Sequence, residues 1–380
     1  MMYPVGLVYS TMWVHFPRPL PHDLIPAGHP LRSIKVRADG ILREMSRRFS
    51  AAYGKAGRPS IPSERLIKAL LLQALYSIRS EIQLCEQIGY NLLFRWFLDM
   101  NPSDNVWTPE VFCMNRSRFD EHGFVRDFFD RVVKEGILEG LVSQDHFSVD
   151  GSLIQSFASM KSLRPMDTKD TQVRDGSDDQ DGGNPTVNFR GEKRTNTTHR
   201  SLVDPEARLM RKGDGKPAVL SHSLHVLMEN RSGLCLDIAV DEANGTAERI
   251  QAGAMLDHTY KRHRLWPQTL GMDAGYKDGK FLDVVEQTGI VPHVPVGKGP
   301  IVGEDPGVEA RRRAKHRAES KGYAISQRIR KRIEEIFGWC KMIGGLGRAR
   351  FVGRWKIKLQ SEVTAAAYNL LRIARLRPAV

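Results

Sequence analysis

Cysteine is scarce in this 380-residue chain. Its four residues, Cys85, Cys113, Cys235 and Cys340, lie far apart with no CxxC pair. That spacing argues against a disulfide framework and against a thiolate metal finger, and leaves four reduced and mostly packed thiols. Long apolar runs are missing as well. The longest, Ala69 to Tyr76, is broken by Gln73 and falls far short of the roughly 20 residues that cross a bilayer, so no membrane span is expected. The opening MMYPVGLVYSTMWVHF has neither a basic start nor a small-residue cleavage site. A cytoplasmic protein is the expectation. His222 and His225 stand three apart in a strand-like run, where alternation sends them to opposite faces and away from a shared metal.

Excess negative charge is also missing. The chain carries a net charge of +13. From Asp305 to Val380, 19 Lys and Arg face 6 Asp and Glu, so this tail alone accounts for the whole surplus. Such a surface suits a polyanion, most often nucleic acid, although a basic surface also serves solubility. At this length two domains, each with its own core, are more natural than one.

The part before about Gly140 reads as helical. Ser63 stands as an N-cap before ERLIKALLLQALYSI, whose apolar residues recur at 66, 67, 70, 71, 74 and 75. Ser80 opens SEIQ, a capping-box pattern, in a short helix closed by Gly89. YNLLFRWFLDM, a segment from Thr108-Pro109-Glu110, and FVRDFFDRVVKEG, stopped by Gly136, supply further helices. They fit either a helical bundle or a helix-turn-helix reader of DNA. Past Ser143 the period changes. HFSVDGSLIQSF alternates as a strand with Asp150 on its polar face. An acidic Gly/Ser/Asn-rich stretch, residues 167–184, follows as a mobile insertion within about 158–215. Then come a hairpin turned at Asn230-Arg231-Ser232-Gly233, a helix, a strand ending at Asp273, a helix, a strand, and basic helices. Three strands followed by alternation predict an α/β sheet.

Asp150 sits inside a strand, where aspartate is depleted. Asp273 sits at a strand end, where a turn or cap role is the ordinary one, as it is for Asp241, Asp278 and Asp283. Carboxylates at the ends of adjacent strands are also an economical way to hold Mg²⁺, a hard cation with oxygen ligands. Helical periodicity over RIRKRIEEIFGWCKMIGG lays Ile329, Ile333, Ile336, Phe337 and Cys340 along one stripe, with Glu334 and Glu335 on its two flanks. Periodicity does not choose between them. Glu334 shares its edge with Arg330 and Lys341, whereas Glu335 has Lys331 at i−4, a surface pair worth about 0.3–0.5 kcal/mol.

Arg330-x3-Glu334-x6-Lys341, HFSVDGSLI, TLGMDAGYKDGKF and IEEIFGWCKMIGG together resemble the insertion-sequence transposases of the DDE class, most closely the insertion-sequence-five family. GRPSIPSERLIKALLLQALYSIRSE, YNLLFRWF, LMENRSGL, NGTAER and AAAYNLLRIARL resemble family segments too, so the likeness covers roughly residues 25 to 376. The family signature often has Tyr three residues before the Arg; this chain has Gln327.

The resemblance implies an all-α N-terminal domain over residues 1–140 that binds DNA ends. It implies an RNase H-like α/β core with a mixed sheet over 141–380. Asp150, Asp273 and Glu334 would hold two Mg²⁺ ions, with Mn²⁺ able to substitute, and Arg330 and Lys341 would lie beside DNA phosphates. Arg348, Arg350, Arg354, Lys356 and Lys358 of the basic tail are expected to touch phosphate too. The implied partners are double-stranded DNA, as transposon ends and target, and a second copy of the chain once DNA is bound. The implied activity is metal-dependent strand cleavage and strand transfer. A nuclease on the same fold, and a repressor that binds ends without cutting, are the alternatives.

Overall fold

The computed structural model describes residues 21–53, 60–166, 187–189, 192–211, 215–245, 247–297 and 299–377. The acidic stretch of residues 167–184 lies outside them.

Among the described residues seven helices come first: α1 (Pro21–Leu24), α2 (Pro30–Ala52), α3 (Ser63–Leu75), α4 (Glu81–Tyr90), α5 (Leu92–Phe97), α6 (Glu110–Glu121) and α7 (Phe124–Leu138). Their boundaries follow local chemistry, with some departures from the sequence reading. Ser80 caps α4 by accepting from Gln83 N at 3.1 Å, as the SEIQ pattern predicts. Ser63 is not a cap; it is the first residue of α3, and its hydroxyl donates to Tyr53 Oη. Gly136 does not stop α7, which runs on two residues to Leu138. A Cβ at Gly136 would come within 2.7 Å of Leu234 Cδ1, so its bareness serves close packing. Gly140, with φ of 68°, turns the chain instead.

Strand β1 (His146–Gln155) then enters the sheet. Four short strands follow, β2 (Leu163–Pro165), β3 (Val187–Phe189), β4 (Glu192–Arg194) and β5 (His199–Ser201), paired as β2 with β5 and β3 with β4. Next come β6 (Arg208–Met210), the hairpin of β7 (Val219–Glu229) and β8 (Cys235–Glu242), then α8 (Ala247–His263), β9 (Thr269–Gly271), α9 (Gly279–Gln287) and β10 (Val291–His293). The hairpin turns where expected. Gly233 takes φ of 76°, and the buried Glu229 carboxylate accepts from the backbone N–H groups of Arg231 and Ser232 at 3.0 and 2.8 Å.

Across the main sheet the order is β10-β9-β1-β7, with β6 and β8 sharing the far edge of β7. β1, β7 and β8 are antiparallel; β9 and β10 run parallel to β1. An antiparallel meander continued by two parallel strands on the other side of β1 is the RNase H-like arrangement, behind an all-α N-terminal region.

The chain closes with α10 (Pro306–Arg317), α11 (Lys321–Arg330), α12 (Ile333–Met342) and α13 (Arg354–Leu376). α13 is buried through its middle, residues 359–370, packed against α2, α3, α7, α12 and β8, while its charged ends reach the surface. Its Asn369 side chain bonds both N–H and C=O of Cys235 at 2.9 and 2.7 Å, covering an edge that would otherwise stay unpaired. A single hydrophobic cluster runs from Leu31 in α2 through β1 and β7 to Ala374 in α13. The opening helices and the sheet therefore share one core.

Candidate active site

β1 lies where the sheet changes direction, with an antiparallel neighbour on one side and a parallel one on the other. In open α/β sheets the crevice beyond the carboxyl ends of strands at such a switch point is the usual ligand site. The β1–β9 register ends at Ser148 opposite Gly271. Asp150 and Asp273 each follow two residues later, so both carboxylates emerge at that fork.

Asp150 Oδ1 accepts from Gly151 N at 2.8 Å, and Oδ2 receives Arg330 Nη1 at 3.1 Å. Burial, reinforced by the neighbouring Asp273, pushes its carboxyl up to about 6 despite Arg330, and Glu334 adds to the rise. Asp273 caps a short turn, its Oδ1 accepting from Gly275 N at 2.8 Å. Of the aspartates read as caps, Asp278 caps α9 by accepting from Phe281 N. Asp241 and Asp283 instead form ion pairs, with Arg354 and Arg313.

The segment holding the two glutamates is not one helix. It breaks at Lys331-Arg332 into α11 and α12. Arg330 ends α11 and reaches Asp150; Lys341, in the last turn of α12, donates to Ser152 Oγ at 2.5 Å. Ser152 shares the Asp150 face of β1 by alternation, so two cations clamp α11 and α12 over that face. Glu334, in the first turn of α12, is the glutamate whose charge Asp150 feels. Glu335 faces away to Arg372 at 3.5 Å and Arg332 at 3.9 Å; it does not pair with Lys331.

Gln327, where the family signature often has Tyr, donates to the carbonyls of His293 at 2.7 Å and Met272 at 3.2 Å. It ties α11 to the strand ends beside Asp273. Two groups went unnoticed in the sequence. Glu248, in the first turn of α8, brings Oε1 to 2.8 Å from where a Cβ at Gly151 would lie, and Oε2 to 3.1 Å from one at Gly275. Tyr276 is fully buried, and its hydroxyl has no hydrogen-bond partner among the described residues. Glycines directly after one aspartate and two residues after the other were the available signal.

The acidic neighbours of Asp150, Asp273 and Glu334, offer only oxygen ligands, the chemistry of a hard divalent cation, and the Tyr276 hydroxyl is a buried polar group without a partner among the described residues. Asp150, Asp273 and Glu334 are electrostatic neighbours rather than a closed cage. Among the described residues no three His, Cys, Asp or Glu side chains are gathered closely enough to hold one ion, and Arg330 supplies the positive charge at Asp150.

The basic tail divides. Arg348 and Lys358 are exposed and Lys356 is half-buried. Arg350 is turned inward, donating to the carbonyls of Ile78 and Arg79 at 2.8 and 3.1 Å. Arg354 is held by Asp241 at 2.5 Å and Glu206 at 3.5 Å. No helix among the described residues is long and apolar enough to cross a membrane.

The sequence matches two family models in succession: "Transposase domain (DUF772)" over residues 20–118 and "Transposase DDE domain" over residues 195–370. The second contains Asp273 and Glu334 but begins after Asp150. No curated protein matches the sequence. Similar solved structures include the Mos1 transposase paired-end complex with left transposon end, at 12% identity and TM-score 0.19, covering 80% of this chain and 86% of that one. The Mos1 Strand Transfer Complex matches at 12% and 0.20 over the same shares. At such values the fold assignment rests on the strand order.

Proposed function

Because this chain belongs to the DDE-class DNA transposases, we propose that Asp150, Asp273 and Glu334 hold two Mg²⁺ ions, replaceable by Mn²⁺, and that the site cuts and rejoins DNA at insertion-sequence ends. Ions held there supply the chemistry of a two-metal site, activation of the attacking oxygen and stabilisation of the leaving one. The side chains position and neutralise. Asp150, desolvated between Asp273 and Glu334, gains most from a cation. Arg330 lets go of it and turns to phosphate. Lys341 fixes α12 to β1, so that Glu334 stays over the strand ends. Water attacks the phosphodiester at the element's end and frees a 3′-OH, which in a second in-line step attacks a phosphodiester of target DNA, joining to its phosphorus and displacing the target's own 3′-OH.

The double clamp of Arg330 on Asp150 and Lys341 on Ser152 is the observation that carries this reading, because it supports Glu334, which shares the Arg330–Lys341 edge, rather than Glu335. Double-stranded DNA is the partner, lying along Arg330, Lys341, Arg348, Lys356 and Lys358. The helices within residues 1–140 read the ends, and two copies of the chain pair two ends. Arg350 and Arg354 serve the fold.

The test is incubation of the full chain with a fragment bearing the element's own ends, with and without Mg²⁺, and with pre-cut ends in parallel. Cleavage and joining that need the metal support the reading. Cleavage without joining identifies a nuclease, and end binding without metal-dependent cleavage identifies a repressor.

A further inference from the structure

Besides Asp150, Asp273 and Glu334, a fourth acid, Glu248, reaches toward the fork between β1 and β9. Glu334 comes from α12, and Glu248 comes from α8, the helix that follows the β7–β8 hairpin. A Cβ at Gly151 would meet Glu248 Oε1 at 2.8 Å. A Cβ at Gly275 would meet Asp273 Oδ1 at 3.0 Å and Glu248 Oε2 at 3.1 Å. One oxygen of each acid therefore crowds the same small region. Both glycines keep open the channel through which Glu248 arrives.

The Tyr276 hydroxyl supplies the independent sign of a ligand. It is buried to 0% exposure and has no partner among the described residues. Its ionisation is strongly opposed by burial first, and then by Glu248, Asp150 and Asp273, in that order. A buried donor facing three carboxylates without bonding any is accounted for if they are arranged around positive charge in the working state. An acid in the first turn of a helix also suits the helix dipole, but that role needs neither the two glycines nor a site lined by two other acids.

We propose that Glu248 is a fourth acidic residue of the metal centre, helping to hold a divalent cation, with Tyr276 as the positioning residue that orients its carboxylate. The inference rests on the assignment of Asp150, Asp273 and Glu334 as metal-holding residues.

The experiment is Mn²⁺ titration of the full chain without DNA, read by calorimetry and by the Mn²⁺ paramagnetic resonance signal, with melting in EDTA as the fold control. Glu248→Gln should weaken Mn²⁺ binding roughly 10- to 100-fold, the range seen when a group supporting a metal site is removed, while melting in EDTA stays the same or rises. Tyr276→Phe should melt normally yet alter the Mn²⁺ signal. Wild-type affinity in Glu248→Gln, or in Glu248→Asp should the Gln variant fail to fold, overturns the proposal. Asp150→Asn and Glu335→Gln run alongside. If Asp150→Asn also keeps wild-type affinity, the three-carboxylate reading itself fails. If it loses affinity and Glu248→Gln does not, only the Glu248 assignment falls.

Discussion

Replacing Asp150 by Asn should stabilise the metal-free protein at pH 8 while abolishing its response to Mg²⁺. Asp150 is only 18% exposed, and its carboxyl is displaced from 3.8 to about 6 by burial and by Asp273. At 1.36 kcal/mol per pH unit, holding this group ionised in the folded chain costs about 3 kcal/mol relative to the unfolded chain. That figure already includes the help from Arg330, and some relaxation makes about 1–3 kcal/mol the realistic gain. The sign follows from linkage. The folded state holds the proton more tightly than the unfolded state, so wild-type stability falls as pH rises from about 4 to 6, and the penalty is complete above. Asn carries no such penalty. The variant should therefore melt roughly 1–4 °C higher than wild type at pH 8 in EDTA, with the gap vanishing near pH 4. Added Mg²⁺ should raise the wild-type melting temperature, because a ligand bound only by the folded state stabilises it, and leave the variant unmoved. Scanning calorimetry at pH 4 and pH 8, with EDTA or Mg²⁺, reads all four conditions. A variant that melts lower at pH 8, or gains equally at both pH values, refutes the view that Asp150 is held as a desolvated carboxylate.

Three other outcomes are expected. Glu334→Gln should abolish strand cleavage but keep end binding, whereas Glu335→Gln, which loses only exposed contacts with Arg372 and Arg332, should cut at near wild-type rates; equal losses in a gel cleavage assay contradict the choice of Glu334. DNA affinity should fall steeply with salt, and Arg348→Ala or Lys358→Ala should each lower the log–log slope by about 0.9, while Arg350→Ala, whose guanidinium holds the Ile78 and Arg79 carbonyls, should lower melting and leave that slope alone. Glu362, 4% exposed and 3.9 Å from an Arg126 that also serves Asp130 and Asp237, is pushed by burial up to about 7; its ionisation costs stability as pH rises from 4.5 to 7, so Glu362→Gln should raise melting at pH 8 by an amount corresponding to about 2–3 kcal/mol and change little near pH 4.5.

Sequence patterns were legible where one element settles its own form. The β7–β8 hairpin could be read from Asn230-Arg231-Ser232-Gly233, and α4 from Ser80 and Gln83, because turn and cap chemistry lies within a few residues. Gly136 misled for the opposite reason. In sequence it resembles a stop, but its role is set by Leu234, nearly a hundred positions away across the core. Ser63 was likewise claimed by Tyr53 rather than by its own helix.

The site shows the same division more sharply. Asp150 announced itself because an acid in a strand interior demands a reason, and the register then carries it opposite the position of Asp273. Glu334 could not be separated from Glu335 by period. The true path bends at Lys331-Arg332, and what orients α12 is a lysine reaching across to Ser152 on another element. Glu248 gave less still, since a first-turn glutamate is ordinary on any helix. Only the bare backbone of Gly151 and Gly275 sets it beside the strand residue that follows Asp150 and beside the Asp273 carboxylate. Where a side chain's task is fixed by a gap left in a distant strand, the informative residue is the missing Cβ. Gly151→Ala, which sets a methyl group against the Glu248 carboxylate, should therefore disturb metal binding without removing a single charge.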